Sequence, residues 1–180
     1  HAVLANTSAR PDAAAMEARR TAVLQGGMAP VAETVMGRFF STRLLSLAPP
    51  RVHSARRTLL TTDPAGYAGC CAAIRDMDMT GGLAAIGVPV LVVNGTLDIP
   101  MPWAAHGEAL ARGIPGAAVV HLEAAHLSNL ETPHAFSAAV AEFLLRPTGS
   151  PGSRRSPTTT GCGRKRAGTS PAFPSSRCWS

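Results

Sequence analysis

The chain has 180 residues, 46% of them hydrophobic and 4% aromatic, which is enough for one domain with a sizeable core. Its net charge of +6 is local: residues 1–146 hold 11 arginines against 11 acidic residues, while Arg154, Arg155, Arg164, Lys165, Arg166 and Arg177 lie in a stretch without acids. A neutral body gives no electrostatic footprint for nucleic acid, and no apolar run approaches the roughly 20 residues that cross a bilayer, so neither partner is expected.

In chain order, residues 1–6 are apolar and end in Asn-Thr-Ser, a strand running into a loop. The chain opens within that strand without a Met, and the sequence is expected to be a fragment lacking its beginning. From Pro11 the character turns helical: a first helix from Asp12 stops at Gly26-Gly27, and a second is predicted over residues 30–47 with Val31, Val35, Met36, Phe39 and Phe40 on one face. A third spans residues 52–61, and a fourth follows Asp63-Pro64, with Asp as N-cap and Pro in the first turn. Adjacent Cys70 and Cys71 fall in its apolar pattern. With Cys162 and Cys178 they show neither metal-ligand nor disulfide spacing, so they are expected to be buried small hydrophobes in a reducing, cytoplasmic setting, with no metal or other cofactor.

Strand–helix alternation then returns. Residues 83–86 make a helical turn, residues 89–94 a buried strand, residues 103–112 a helix closed by Gly113, and residues 117–122 a further strand. A last helix starts at Thr132-Pro133, with Phe136, Ala139, Val140, Phe143 and Leu144 forming its apolar stripe. The order strand, four helices, strand, helix, strand, helix predicts an α/β fold with a parallel sheet covered on both faces. The predicted units are a core strand and loop at 1–10, a helical cap at 11–78, the remaining core at 79–146 and a basic tail at 147–180. Of the tail's 34 residues, 22 are Pro, Gly, Ser or Thr, a composition that predicts disorder.

Two residues carry the chemical expectation. Asp98 follows the strand PVLVVN through a Gly-Thr-Leu loop, and His126 follows the next strand. Neighbouring parallel strands put their carboxyl ends side by side, where a carboxylate can accept from an imidazole Nδ1–H, fix its tautomer and stabilise the imidazolium. Acid before histidine is also the chain order of the α/β-hydrolase triad. No serine completes it: Ser8 lacks the glycines of a strained elbow, and Ser128 reads as part of the histidine loop. Trp103, close behind Asp98, is a candidate for lining the substrate pocket. His1, His53, His106, His121 and His134 have no acid at a convincing position.

GTLDIPMPW, the helical insert and AAHLSNLETPHAF together resemble the α/β-hydrolase superfamily, and within it the 3-oxoadipate enol-lactonases of aromatic catabolism. LANTSAR is similar to a stretch of the same family, and the resemblance covers residues 1–146, the second half of such an enzyme. It implies an α/β-hydrolase fold, incomplete at the amino terminus, with a four-helix cap. It further implies Asp98 as triad acid, His126 as general base, a nucleophilic serine upstream, and a small lactone or ester as partner. Arg56, Arg57 or Arg75 in the cap could then receive the substrate's carboxylate. Other esterases, haloperoxidases and dehalogenases of this fold, or an inactive fragment prone to self-association, remain the alternatives.

Overall fold

A computed structural model describes residues 1–146, and the tail predicted at 147–180 lies outside the described residues. Three strands form a parallel sheet in the order β1 (Ala2–Ala5), β2 (Val90–Gly95), β3 (Ala118–Leu122). Ala2 lies opposite Val90, and Leu91 opposite Ala118. All six residues of β2 are buried. Alternation along the strand sends Val90 and Val92 to a cluster with Leu83, Leu110 and Ile114. Leu91 and Val93 point the other way, to a cluster with Leu122 and Phe143.

The first face is covered by a 3-10 turn (Thr80–Ala85) and, after β2, by α6 (Gly107–Gly113). The second is covered by α8 (Pro133–Leu145), through Phe136, Val140 and Phe143. Leu144, expected on that stripe, is instead 48% exposed because it falls one position past the inward-facing Phe143. The expected strands and flanking helices are present, with the helix after β2 beginning at Gly107 rather than at residue 103. A single-turn helix, α7 (Ser128–Glu131), precedes α8.

Between β1 and the 3-10 turn the chain makes five helices, not four: α1 (Ala13–Gly26), α2 (Ala29–Phe39), α3 (Thr42–Leu47), α4 (Pro50–Thr61) and α5 (Pro64–Arg75). Asp12 caps α1 by accepting from the Ala14 and Ala15 N–H groups, and Asp63 caps α5 through the Gly66 N–H at 2.6 Å. The helix expected over residues 30–47 breaks at Phe40, which is extended and 1% exposed. Ser41 then restarts the chain as the α3 N-cap, its hydroxyl accepting from the Leu44 N–H at 3.2 Å. A core position and a capping side chain outweigh helical periodicity there, because burying the Phe40 ring requires the backbone to turn.

These helices share two apolar clusters. Val23, Met28, Val31 and Val35 bind α1 to α2 and α5, with Tyr67 at the margin. Met36, Phe40, Leu44 and Val52 join α2, α3 and α4, and Leu127 and Leu130 pack against them. The second cluster holds the helices against the segment that follows β3. Of the paired cysteines only Cys71 is buried; Cys70 is exposed, which corrects the expectation that both fill the core. Successive helix positions point about 100° apart, and on α5 the buried side is the one that Ala68 and Cys71 share, which leaves Cys70 outside it.

Candidate active site

The loops leaving β2 and β3 zip together. Thr96 N–H donates to the Leu122 carbonyl at 2.8 Å and Leu97 N–H to the Ala124 carbonyl at 3.0 Å. The approach demands a glycine: a Cβ on Gly95 would lie 2.4 Å from the Ala124 oxygen, 2.7 Å from the Ala125 oxygen and 2.8 Å from Asn6 Nδ2. Asp98 and His126 thereby come into contact, with His126 Nδ1 3.0 Å from Asp98 Oδ2 and 3.2 Å from Oδ1.

Asp98 is 5% exposed and further held by the Met101 N–H at 2.9 Å and by Asn6 Nδ2 at 2.9 Å. Burial alone would raise its carboxyl pKa. Hydrogen bonds from His126, Asn6 and the Met101 N–H outweigh that effect and leave it below the ordinary aspartate value. It is therefore a carboxylate at neutral pH, which leaves the proton on His126 Nδ1 and makes Nε2 the acceptor.

His126 is partly buried, its ring tilted against that of Phe39 with centroids 4.7 Å apart. Its loop is fastened to the helices at two points. Leu127 N–H donates to the Phe39 carbonyl at 3.0 Å. Glu131 accepts from Ala125 N–H at 3.1 Å and from both the backbone and the hydroxyl of Ser41.

His126 lines a pocket of about 300 Å³ with His106, Met101, Phe39, Arg19 and Arg38. Arg38, which also lines a neighbouring pocket between α1 and α2, has its Nε buried without a hydrogen-bond partner among the described residues. A larger cavity of about 520 Å³ lies on the far side of Phe39, between α2, α4 and Leu127–Leu130, and neither Asp98 nor His126 reaches it. The smaller pocket is the one lined by His126, and we take it as the candidate site.

The remaining expected residues lie elsewhere. Trp103 is not part of the His126 pocket. It packs on Gly107, where a Cβ would meet its ring at 2.4 Å, and edge-on against His121, with centroids 4.7 Å apart. Trp103, His121 and Asn94 instead line a cleft on the other flank of Asp98. His121 is exposed at the penultimate position of β3 and pairs with the Asn94 side chain at 3.1 Å.

Arg56 is paired with Glu33, Arg75 with Glu17 and Asp76, and Arg57 is exposed; none of the three lines the pocket that Arg19 and Arg38 enter. Ser8 is buried against His106 Nδ1 at 2.8 Å, and its oxygen also accepts from Arg10 N–H. Ser128 donates to Asn6. Neither serine is bonded to His126. The roles of Asn6, Phe39, Arg38 and Glu131 are not evident from the sequence. The nearest signal is Asn6 itself, since asparagine at a strand end tolerates the left-handed turn found there.

No family model matches the chain. It is 35% identical over 145 residues to 3-oxoadipate enol-lactonase 2 of Acinetobacter baylyi, covering 80% of this chain and 54% of that protein. The crystal structure of the enol-lactonase from Burkholderia xenovorans superposes with a TM-score of 0.77 at 34% identity, over 80% of this chain and 55% of that one. A hydrolase from Pseudomonas aeruginosa superposes with a TM-score of 0.75 at 44% identity, over 80% and 55%. The chain thus spans about half the length of the curated relatives it matches. By fold and sequence, residues 1–146 are those of an α/β-hydrolase, matching the carboxyl-terminal part of the fold, and the chain's homologues are 3-oxoadipate enol-lactonases.

Proposed function

We propose that Asp98 and His126 are the acid and general base of a serine hydrolase that opens 3-oxoadipate enol-lactone to 3-oxoadipate. The observation that carries this reading is the buried, fully bonded carboxylate 3.0 Å from His126 Nδ1, with the histidine facing a pocket that also holds two arginines. In the proposed reaction a serine from outside residues 1–146 gives its proton to His126 Nε2 as its oxygen attacks the lactone carbonyl. Asp98 stabilises the imidazolium formed. The ring C–O bond breaks with return of that proton to the leaving enol oxygen, leaving an acyl-enzyme. His126 then takes a proton from water as that water attacks the ester, and passes it to the departing serine oxygen, which frees the second carboxylate; the released enol tautomerises to the ketone of 3-oxoadipate.

The lactone carries one carboxylate before any ester bond is cleaved. Arg38 and Arg19, which both line this pocket, are the groups that would receive it. Asp98 and His126 alone supply no nucleophile, so residues 1–146 by themselves are expected to show no ester turnover beyond that of His126→Ala.

The reading is tested in a hybrid that joins the unmatched part of the Acinetobacter baylyi enol-lactonase to residues 1–146. The hybrid is expected to hydrolyse the anionic enol-lactone in preference to its methyl ester. Arg38→Met should lower that preference by about tenfold, the worth of roughly one charge-assisted hydrogen bond. A folded hybrid that hydrolyses neutral esters and ignores the lactone would sink the assignment.

A further inference from the structure

Asn6 stands at the end of β1 with a backbone φ of +48°, one of two non-glycine residues in the left-handed region among those described. It is 8% exposed, and its side chain bonds to Asp98 and to the loop that carries His126. Its Nδ2 donates to Asp98 Oδ2 at 2.9 Å and, at 3.4 Å, to the carbonyl of Ala125, the residue before His126. Its Oδ1 accepts from the hydroxyl of Ser128, which is 1% exposed. The left-handed turn swings the amide across the end of β2, into the space left by the missing Cβ of Gly95. Asp98 is thus gripped on two sides: the Met101 N–H holds Oδ1, and Asn6 holds Oδ2, while His126 lies near both oxygens.

From this geometry we propose that Asn6 is a positioning residue, braced by Ser128, that donates to Asp98 and fixes the plane of its carboxylate toward His126. The proposal deepens the hydrolase reading and rests on it. The Asp98 carboxylate and the Ala125 carbonyl, which can only accept, select the orientation in which the Asn6 NH2 group meets them. The Ser128 hydroxyl donates to the Oδ1 left on the other side and braces the amide there. β1 thereby takes part in the site although it contributes no reacting group. The titratable neighbours of Asp98 are His126, in the loop after β3, and His121, across the cleft on its other flank.

The test follows the Asp98 side-chain carbon by NMR through a pH titration of the 180-residue protein. It requires no turnover, so its outcome is separate from that of the hydrolase assignment. Asn6→Gly removes the amide while keeping the left-handed turn free of strain. Asn6→Asp keeps the shape but cannot donate once ionised. Ser128→Ala keeps the amide but removes the donor that braces its oxygen. The Asp98 midpoint is expected to move to higher pH in all three, least in Ser128→Ala and most in Asn6→Asp, where two carboxylates would face each other. A merely structural asparagine would lower the thermal midpoint of Asn6→Gly and leave the Asp98 titration where it was. That result, or an unshifted Asp98 in Asn6→Asp, would overturn the proposal. Should Asn6→Gly fail to fold, Ser128→Ala is decisive: an Asp98 midpoint equal to that of the unaltered protein counts against a braced amide.

Discussion

On the strand side of the His126 pocket, the polar groups of the site are bonded to one another: Ser128 to Asn6, Asn6 and Met101 to Asp98, Asp98 to His126. On the helical side, α1 and α2 offer the Phe39 ring and two arginines, one with a buried nitrogen that has no partner among the described residues. The difference follows from what each wall has to do. A proton-transfer pair must hold its geometry through the reaction, so each lone pair and proton is assigned before substrate arrives. A wall that selects substrate keeps a bonding capacity open, because an N–H already satisfied within the protein gains little from a ligand. Under the proposed function, stability would be concentrated on the first wall and selectivity on the second, and variants in the two should behave differently.

The largest loss of stability is expected at Gly95. Its Cβ position is closed by two carbonyl oxygens and the Asn6 amide, two of the three being rigid backbone. Gly95→Ala should cost about 3 kcal/mol by forcing the β2 and β3 loops apart, measured by denaturant unfolding. An alanine tolerated without loss would show that the close fit at the strand ends is not required.

A smaller effect is expected where the walls are joined. Glu131 accepts from Ser41 and from Ala125 N–H, so Glu131→Ala leaves those partly buried donors unpaired and should cost roughly 2 kcal/mol. Hydrogen exchange should speed up at Ser41 and Ala125 together. Faster exchange at one without the other would mean that Glu131 does not couple the walls.

The smallest effect is on pH dependence. The Asp98 carboxyl lies below its ordinary value when folded, so the stability it contributes is complete above that ordinary value. The contribution is lost as pH falls from there through the folded pKa. Thermal midpoints of the unaltered protein and Asp98→Asn, compared from pH 7 downward, should converge only below the ordinary aspartate range. Convergence nearer neutrality would place the Asp98 pKa above normal and contradict the bonding described.

Much of the strand wall is legible in the sequence because its signals are local. A short β-branched run ending in Asn94-Gly95 marks β2, and acid-then-histidine after successive strands marks the pair. Helix number is not legible, because Phe40 and Ser41 break a continuous periodic pattern. The break is decided by burial of one ring and by a cap whose serine also bonds Glu131, 90 positions away. Asn6 is hidden as a site residue for the same reason. Its partners stand 92 and 122 positions along the chain, and only the closure of β1 onto β2 brings them together. Trp103 follows Asp98 closely in sequence and lines a cleft with it, on the flank away from the His126 pocket, where its ring packs on Gly107.

The most direct measurement is the hydrolysis rate of 3-oxoadipate enol-lactone by the enol-lactonase hybrid with and without His126→Ala. Loss of general base catalysis should lower kcat by about a thousandfold or more, with circular dichroism unchanged. A folded His126→Ala hybrid that turns over the lactone at the unaltered rate would contradict the assignment of Asp98 and His126 as the acid and base of this site.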